Sequence, residues 1–244
     1  MKITEKIYLV GGNSFGLSHV FDSNTYAVDC GDEIVMIDAG AGRGTDSIID
    51  NMKKDNLDIS RLSKILLTHS HSDHAGGASD LKDRFDCSIC VSEEEAGFIE
   101  SGDDEDFSLD IAKRSGLYSP DYKFQNCEVS LRLKNKDKVK CGDRTFTVIS
   151  IPGHSKGSVA FLIDLPEGRA IFTGDSVNAD GVICLLNCDG SELSDYRNNI
   201  DRFSGIKADM LFPGHGAFTL SGGQDKLDIA IRDLKLLAPP KNFL

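Results

Sequence analysis

The 244-residue chain lacks any apolar run approaching the ~18 residues of a membrane span, and Met1-Lys2-Ile3-Thr4-Glu5 lacks the charged-then-apolar layout of a secretory signal. These absences predict a cytoplasmic protein with no membrane partner. Positive charge is also scarce, with 27 Lys and Arg against 39 Asp and Glu and a net charge of −12. Nucleic-acid binding relies on Lys and Arg to displace phosphate counterions, so no nucleic-acid partner is expected. A disulfide framework is excluded in the same way. Seven cysteines, an odd number at irregular spacing, read as reduced thiols in a chain without a secretory signal. Cys87 and Cys90 form a C-x-x-C, but no second C-x-x-C completes a zinc site, and Cys-Ser-Ile-Cys-Val-Ser reads as a buried strand. Cys184 and Cys188 lie in a glycine-flanked loop region that can face a pocket. No repeat or low-complexity linker divides the chain, which predicts a single domain over residues 1–244.

What is present looks globular. Apolar residues make up 40% and charged residues 27%, close to the usual balance, which excludes wholesale disorder. Short β-branched runs of strand length recur at Lys6–Val10, Thr25–Cys30, Glu33–Asp38, Lys64–Thr68, Ser88–Ser92, Glu128–Leu133, Arg144–Ile151, Ser158–Asp164, Arg169–Gly174 and Met210–Phe212. Turn signals such as Cys30-Gly31-Asp32 and Cys141-Gly142-Asp143 separate several of them. Thr45–Lys54 places Ile48, Ile49 and Met52 on one helical face, and Asp225–Leu237 does the same with Leu227, Ile231, Leu234 and Leu237. Asp73–Phe85, Asp106–Ser115 and Ser194–Phe203 read as shorter helices. Strands and helices mix without a clean βαβ alternation, which predicts an α+β arrangement of sheets layered with helices.

One stretch stands out by charge. Glu93-Glu94-Glu95 and Asp103-Asp104-Glu105-Asp106 open a segment with few strand signals that continues to Asn126. Such a run is ordinarily a solvated helix face. Its functional alternative is an acidic insertion or lid around 93–126, which would discourage multiply anionic substrates.

The six histidines are placed unevenly. His69, His71 and His74 crowd into Thr68-His69-Ser70-His71-Ser72-Asp73-His74, directly after the strand-like Lys64–Leu67. In extended chain His69 and His71 project to the same side, and the turn that follows lets Asp73 and His74 face a second nearby position. So many metal donors at one strand-to-helix turn are explained by a divalent cation that satisfies them together. Pro152-Gly153-His154, Gly174-Asp175 and Pro213-Gly214-His215 each follow a strand as well, so one rim of the fold can gather them. Their small neighbours leave room for close backbone approach. His19, in a loop without this pattern, reads as a surface residue.

The ordered motifs H-x-H-x-D-H, Gly-His, Gly-Asp and Pro-Gly-His, with Asp38-Ala39-Gly40 before them, resemble those of the metallo-β-lactamase superfamily over nearly the whole chain. The resemblance implies a four-layer αββα sandwich and a metal-dependent hydrolase with two divalent ions, zinc before iron or manganese. Carried over by position, His69, His71 and His154 hold one metal. Asp73, His74 and His215 hold the second, and Asp175 bridges both. Asp73 and Asp175 are the catalytic carboxylates, and Asp38 orients a ligand imidazole from behind. True β-lactamases lack a bridging aspartate, so antibiotic hydrolysis is not expected. Two cations ~3.5–4 Å apart can share and activate one water for attack on a small ester, thioester or lactone. The motif set most resembles glyoxalase II-like hydrolases, with two departures: Ser158 stands where those enzymes usually carry a second histidine, and only a short segment follows His215. Persulfide dioxygenases, which use one iron, and phosphodiesterases or nucleases share the motif set and are the alternatives.

Overall fold

The computed structural model describes residues 1–106 and 108–243. Residue 107, inside both the acidic segment and the helix expected over 106–115, lies outside the described residues. The chain divides into two compact units, Met1–Arg132 and Leu133–Leu244, each with its own sheet and core.

In the first unit, β1 (Ile7–Gly11), β2 (Thr25–Asp29), β3 (Ile34–Ile37), β4 (Leu62–Leu66) and β5 (Ser88–Ser92) pair in sequence order, with β6 (Leu131–Leu133) at the unit boundary closing a six-stranded sheet. The first two pairings are antiparallel, whereas β3, β4 and β5 run parallel. Parallel strands put their carboxyl ends on one edge, where α/β proteins habitually place ligands. Asp38 follows β3, the histidine cluster follows β4, and α4 (Glu93–Ser101) follows β5, so all three reach the same edge.

The helix α1 (Thr45–Lys54) buries Ile48, Ile49 and Met52 as their shared face requires. The helix expected over 73–85 is instead two, α2 (Ser72–Ala75) and α3 (Ala78–Phe85). The break falls at Gly76-Gly77, where the chain presses onto the 39–41 loop. Gly77 N–H donates to the Gly40 carbonyl at 2.9 Å, and a Cβ on Gly77 would collide with the Ala39 carbonyl. The acidic segment is half solvated and half core. Glu93 and Glu94 are exposed, while Ala96, Ile99, Leu109, Tyr118, Tyr122 and Phe124 join the unit's main apolar cluster. α5 (Leu109–Arg114) is shorter than the helix expected there.

In the second unit the strand order is β11-β10-β9-β8-β7. β7 (Lys138–Cys141), β8 (Arg144–Ser150), β9 (Val159–Leu165) and β10 (Gly168–Gly174) form an antiparallel meander, and β11 (Met210–Pro213) adds parallel to β10. Two antiparallel steps return β10 to the direction of β8. Therefore β8, β10 and β11 all end on one edge, and His154, Asp175 and His215 follow those ends. α6 (Leu193–Asn199) and α7 (Gly223–Leu234) pack Tyr196, Leu227, Ala230, Ile231 and Leu234 into a core with Ile149, Ile171 and Leu211. Cys87 and Cys90 are both buried, Cys90 within β5, as the strand reading of Cys-Ser-Ile-Cys-Val-Ser expects. No helix among the described residues is long and apolar enough to cross a membrane.

Candidate metal centre

In the first unit, the donors radiate from a single buried carboxylate. Asp38 terminates β3 in a left-handed conformation, φ 61°, which aspartate tolerates better than most side chains. Its Oδ2 accepts Nδ1–H of His74 at 2.8 Å, and its Oδ1 accepts the Thr68 backbone N–H at 2.8 Å. The Thr68 hydroxyl donates to Asp38 at 2.9 Å and lies 3.1 Å from Nδ1 of His69. A hydroxyl with its proton spent on Asp38 can only accept from His69, so Nδ1 of His69 carries the proton there. Asp38 thus fixes the tautomer of His74 directly and that of His69 through Thr68. In both rings Nε2 is left as the lone-pair nitrogen.

Those lone pairs converge. Nε2 of His69 is 3.1 Å from Nδ1 of His71, and Nε2 of His74 is 3.5 Å from Oδ2 of Asp73. The His69 and His74 rings have centroids 4.1 Å apart. Ligand atoms on a tetrahedral zinc with bonds of about 2.0–2.1 Å sit roughly 3.3 Å from one another. The spacing in this cluster matches an edge of such a shell.

The second unit repeats the logic with donors brought from three strand ends. Nδ1–H of His154 donates to the Cys184 carbonyl at 2.7 Å, which leaves its Nε2 facing Oδ2 of Asp175 at 3.6 Å. The same Oδ2 is 3.3 Å from Nε2 of His215. One carboxylate oxygen therefore stands between two imidazole nitrogens, again near the edge length of a coordination shell. His154 and Asp175 are buried, and the His215 side chain is 28% exposed. Cys184 is buried beside them, with donor atoms of His154, Asp175 and Cys184 within 4.8 Å of one another. Nitrogen and carboxylate donors at these distances fit a divalent metal by both chemistry and spacing.

Two further residues, Glu95 and Tyr196, support the donors without belonging to the donor motifs. Glu95 is the third residue of the acidic run, yet it is fully buried and accepts the Ser70 backbone N–H at 2.6 Å, holding the turn between His69 and His71. Its position four residues before the buried Ile99 places it on the inward helical stripe, a readable signal. Tyr196 gave no such signal. Its hydroxyl lies 3.1 Å from the Cys184 carbonyl and 3.3 Å from that of Asp175, so α6 braces the same backbone that orients His154. Burial pushes the Tyr196 phenol far above its ordinary value, with the nearby Cys184 and Asp175 adding to the rise, and it remains a neutral donor. Gly153, φ 146°, lets the chain lie against the Tyr196 ring, where a Cβ would collide. Ser158 closes the His154 turn locally, accepting Ser155 N–H at 3.1 Å and sharing a 2.6 Å hydroxyl contact with Ser155. His19 sits in its own turn, its N–H donating to Asp22 at 3.0 Å.

Comparison with known proteins gives a consistent result. The family model described as "Metallo-beta-lactamase superfamily" matches residues 20–215. The lactamase-like protein aptB of Emericella nidulans is 26% identical over 88% of this chain and 58% of its own length, and the thioesterase pkgB of the same organism is 28% identical over 84% and 49%. A hydroxyacylglutathione hydrolase of Bdellovibrio bacteriovorus is 31% identical over 65% of this chain and 50% of its own length. The chain thus spans about half the length of these curated relatives. Two solved metallo-β-lactamases, BJP-1 of Bradyrhizobium japonicum and GOB-18 of Elizabethkingia meningoseptica, superpose with TM-scores of 0.74 and 0.76. They cover 95% and 96% of this chain, and this chain covers 89% and 88% of theirs. At 21% and 19% identity these likenesses establish the fold alone. With its α+β sheets, its ordered histidine and aspartate motifs and a family match across most of its length, the chain belongs to the metallo-β-lactamase superfamily.

Proposed function

We propose that the chain is a dinuclear metal-dependent hydrolase of a small thioester, with esters and lactones as related substrates. The observation that carries this reading is Oδ2 of Asp175, which stands 3.6 Å from Nε2 of His154 and 3.3 Å from Nε2 of His215 as a bridging ligand would. In this reading His69, His71 and His154 hold one cation, Asp73, His74 and His215 hold the other, and Asp175 joins them. The family match runs from 20 to 215 across the unit boundary, which supports treating the chain as one catalytic domain. The thioesterase and the acylglutathione hydrolase among the relatives support thioesters over other acyl compounds. All-nitrogen and oxygen donors favour zinc, with iron or manganese as substitutes. The odd number and irregular spacing of the cysteines support a cytoplasmic setting.

Such cations, when bound, supply Lewis acidity and hydroxide at neutral pH. The chain supplies geometry and proton handling. Asp38 and the Cys184 carbonyl hold His74, His69 and His154 with Nε2 presented to the centre. Asp73 keeps 25% of its side chain exposed against 7% for Asp175, so Asp73 is the carboxylate that meets incoming water and accepts its proton. The test is turnover across thioesters, lactones and phosphodiesters before and after chelation. Thioester hydrolysis abolished by chelator and restored by zinc is expected. Activity on phosphodiesters alone, or recovery with iron alone, contradicts it.

A further inference from the structure

We propose that the cavity beside His215 holds an apolar group of the substrate, and that Phe243 is the wall that selects it. In the hydrolase reading, on which this assignment rests, that group is the acyl end of the thioester. The cavity measures ≈ 250 Å³, and His215, Ala179, Val182, Ala217 and Phe243 are among its lining residues. His215, Ala179 and Val182 are half-buried, and Ala217 and Phe243 are exposed, so a ligand can reach all five. Phe243 keeps 44% of its surface accessible. Its ring stacks on the imidazole of His215, with centroids 6.3 Å apart and planes 26° from parallel. The ring edge also passes Gly216, another lining residue, 3.8 Å from where a Cβ would stand.

A single exposed aromatic is ordinary on a protein surface. This one is fastened in place. Asn242 clamps Leu185 from both sides, accepting its N–H at 2.7 Å and donating to its carbonyl at 2.9 Å. Asn242 also pairs with Ile183 in a parallel bridge, and Phe243 N–H donates to the Ile183 carbonyl at 2.9 Å. Between those two anchors lies Cys184, whose carbonyl orients His154. Fixing residues 242 and 243 costs backbone entropy, which these hydrogen bonds offset. The outcome is an aromatic ring set beside a proposed metal donor with much of its surface still open.

The lining sets the ligand class. Ala179, Val182, Ala217 and Phe243 supply methyl groups and an aromatic ring for apolar contact. No Lys or Arg lines the cavity, and Asp180 adds a carboxylate, so an anionic group is opposed. An apolar cavity of about 150 Å³ already takes a benzene ring. A volume of ≈ 250 Å³ therefore admits one ring or a chain of a few methylenes.

The experiment uses the zinc-loaded full chain and two thioethers that no hydrolase cleaves at the acyl position, S-benzyl- and S-methyl-N-acetylcysteamine. Calorimetry is expected to show tighter binding of the benzyl compound, and Phe243→Ala to lower that preference about tenfold. The chain has no Trp, so Phe243→Trp installs a single fluorescent reporter at the wall. That variant is expected to keep the preference, and its emission to shift to the blue, saturating at the calorimetric Kd of the benzyl compound. Equal binding of the two thioethers, a preference unchanged in Phe243→Ala, or emission from Phe243→Trp that ignores the benzyl compound overturns the proposal. Kinetics with S-benzoyl- and S-acetyl-N-acetylcysteamine separate this inference from the reading beneath it. A Phe243-dependent binding preference without turnover of either thioester leaves the cavity assigned and removes the hydrolase reading. Turnover of both thioesters with no Phe243-dependent preference does the reverse.

Discussion

The two units present metal donors by opposite routes. In the first, His69, His71, Asp73 and His74 come from one six-residue stretch, and Asp38 behind them sets two rings at once. In the second, His154, Asp175 and His215 are far apart in sequence and meet because β8, β10 and β11 end on one edge. A contiguous cluster is held by local turn geometry and side-chain hydrogen bonds. A dispersed one depends on strand register and on braces such as Tyr196. The first should therefore fail mainly through its hydrogen-bonded anchors, and the second through its shared carboxylate.

The largest effect is expected at that carboxylate. Asp175→Asn should remove bound metal and lower turnover beyond the roughly 10–100-fold loss typical of outer partners. Metal content by elemental analysis and kcat/KM check this, and retention of full metal and activity would end the bridging role. Asp38→Ala comes next, with a 10–100-fold loss of metal affinity read by competition with a chelating dye. It removes the hydrogen bonds that set both His69 and His74, so it should exceed Thr68→Val, which touches only the His69 branch. If the two match, the direct His74 contact contributes nothing.

Tyr196→Phe should cost the second unit about 1 kcal/mol in denaturant unfolding, the usual net worth of a hydrogen bond, with a small loss of metal affinity. Glu95→Gln, its counterpart in the first unit, replaces a charge-assisted bond to Ser70 N–H by a neutral one and should cost a comparable amount. The smallest effect is a pH dependence confined to the first unit. Burial pushes the Cys87 and Cys127 thiols up to about 11 from an ordinary value near 9. Raised values in the fold mean stability fully present below about pH 9 and lost as pH rises through 11. Unfolding midpoints between pH 8 and 11 for Cys87→Ala, which removes one thiol, and wild type should converge as pH rises. Parallel curves would contradict the assignment.

The same contrast explains what was legible in the sequence. The cluster from His69 to His74 announces itself because its donors are neighbours and because period-2 geometry puts His69 and His71 on one side. His154, Asp175 and His215 are recognisable as strand-end residues beside glycine. The parallel pairing of β10 with β11 and the return of β10 to the direction of β8, which bring them together, leave no local trace. The strand Lys138–Cys141 escapes notice because its alternation of exposed Lys with buried Val139 and Cys141 lasts only four residues at a sheet edge. The helix over 73–85 is misread because a glycine pair inside a helical pattern looks tolerable until the 39–41 loop is seen pressed against it. Glu95 is hidden by its acidic neighbours, although its spacing from Ile99 already places it inward. The Cys184 carbonyl cannot be read from sequence at all, since every residue carries the same group.

The most direct test of the central claim is metal stoichiometry by elemental analysis of the full chain, wild type against Asp175→Asn, after loading with zinc and removal of excess. About two zinc ions per wild-type chain, falling to one or fewer in the variant, is the expected result. A single zinc ion in wild type, unchanged by the substitution, would contradict a centre bridged by Asp175.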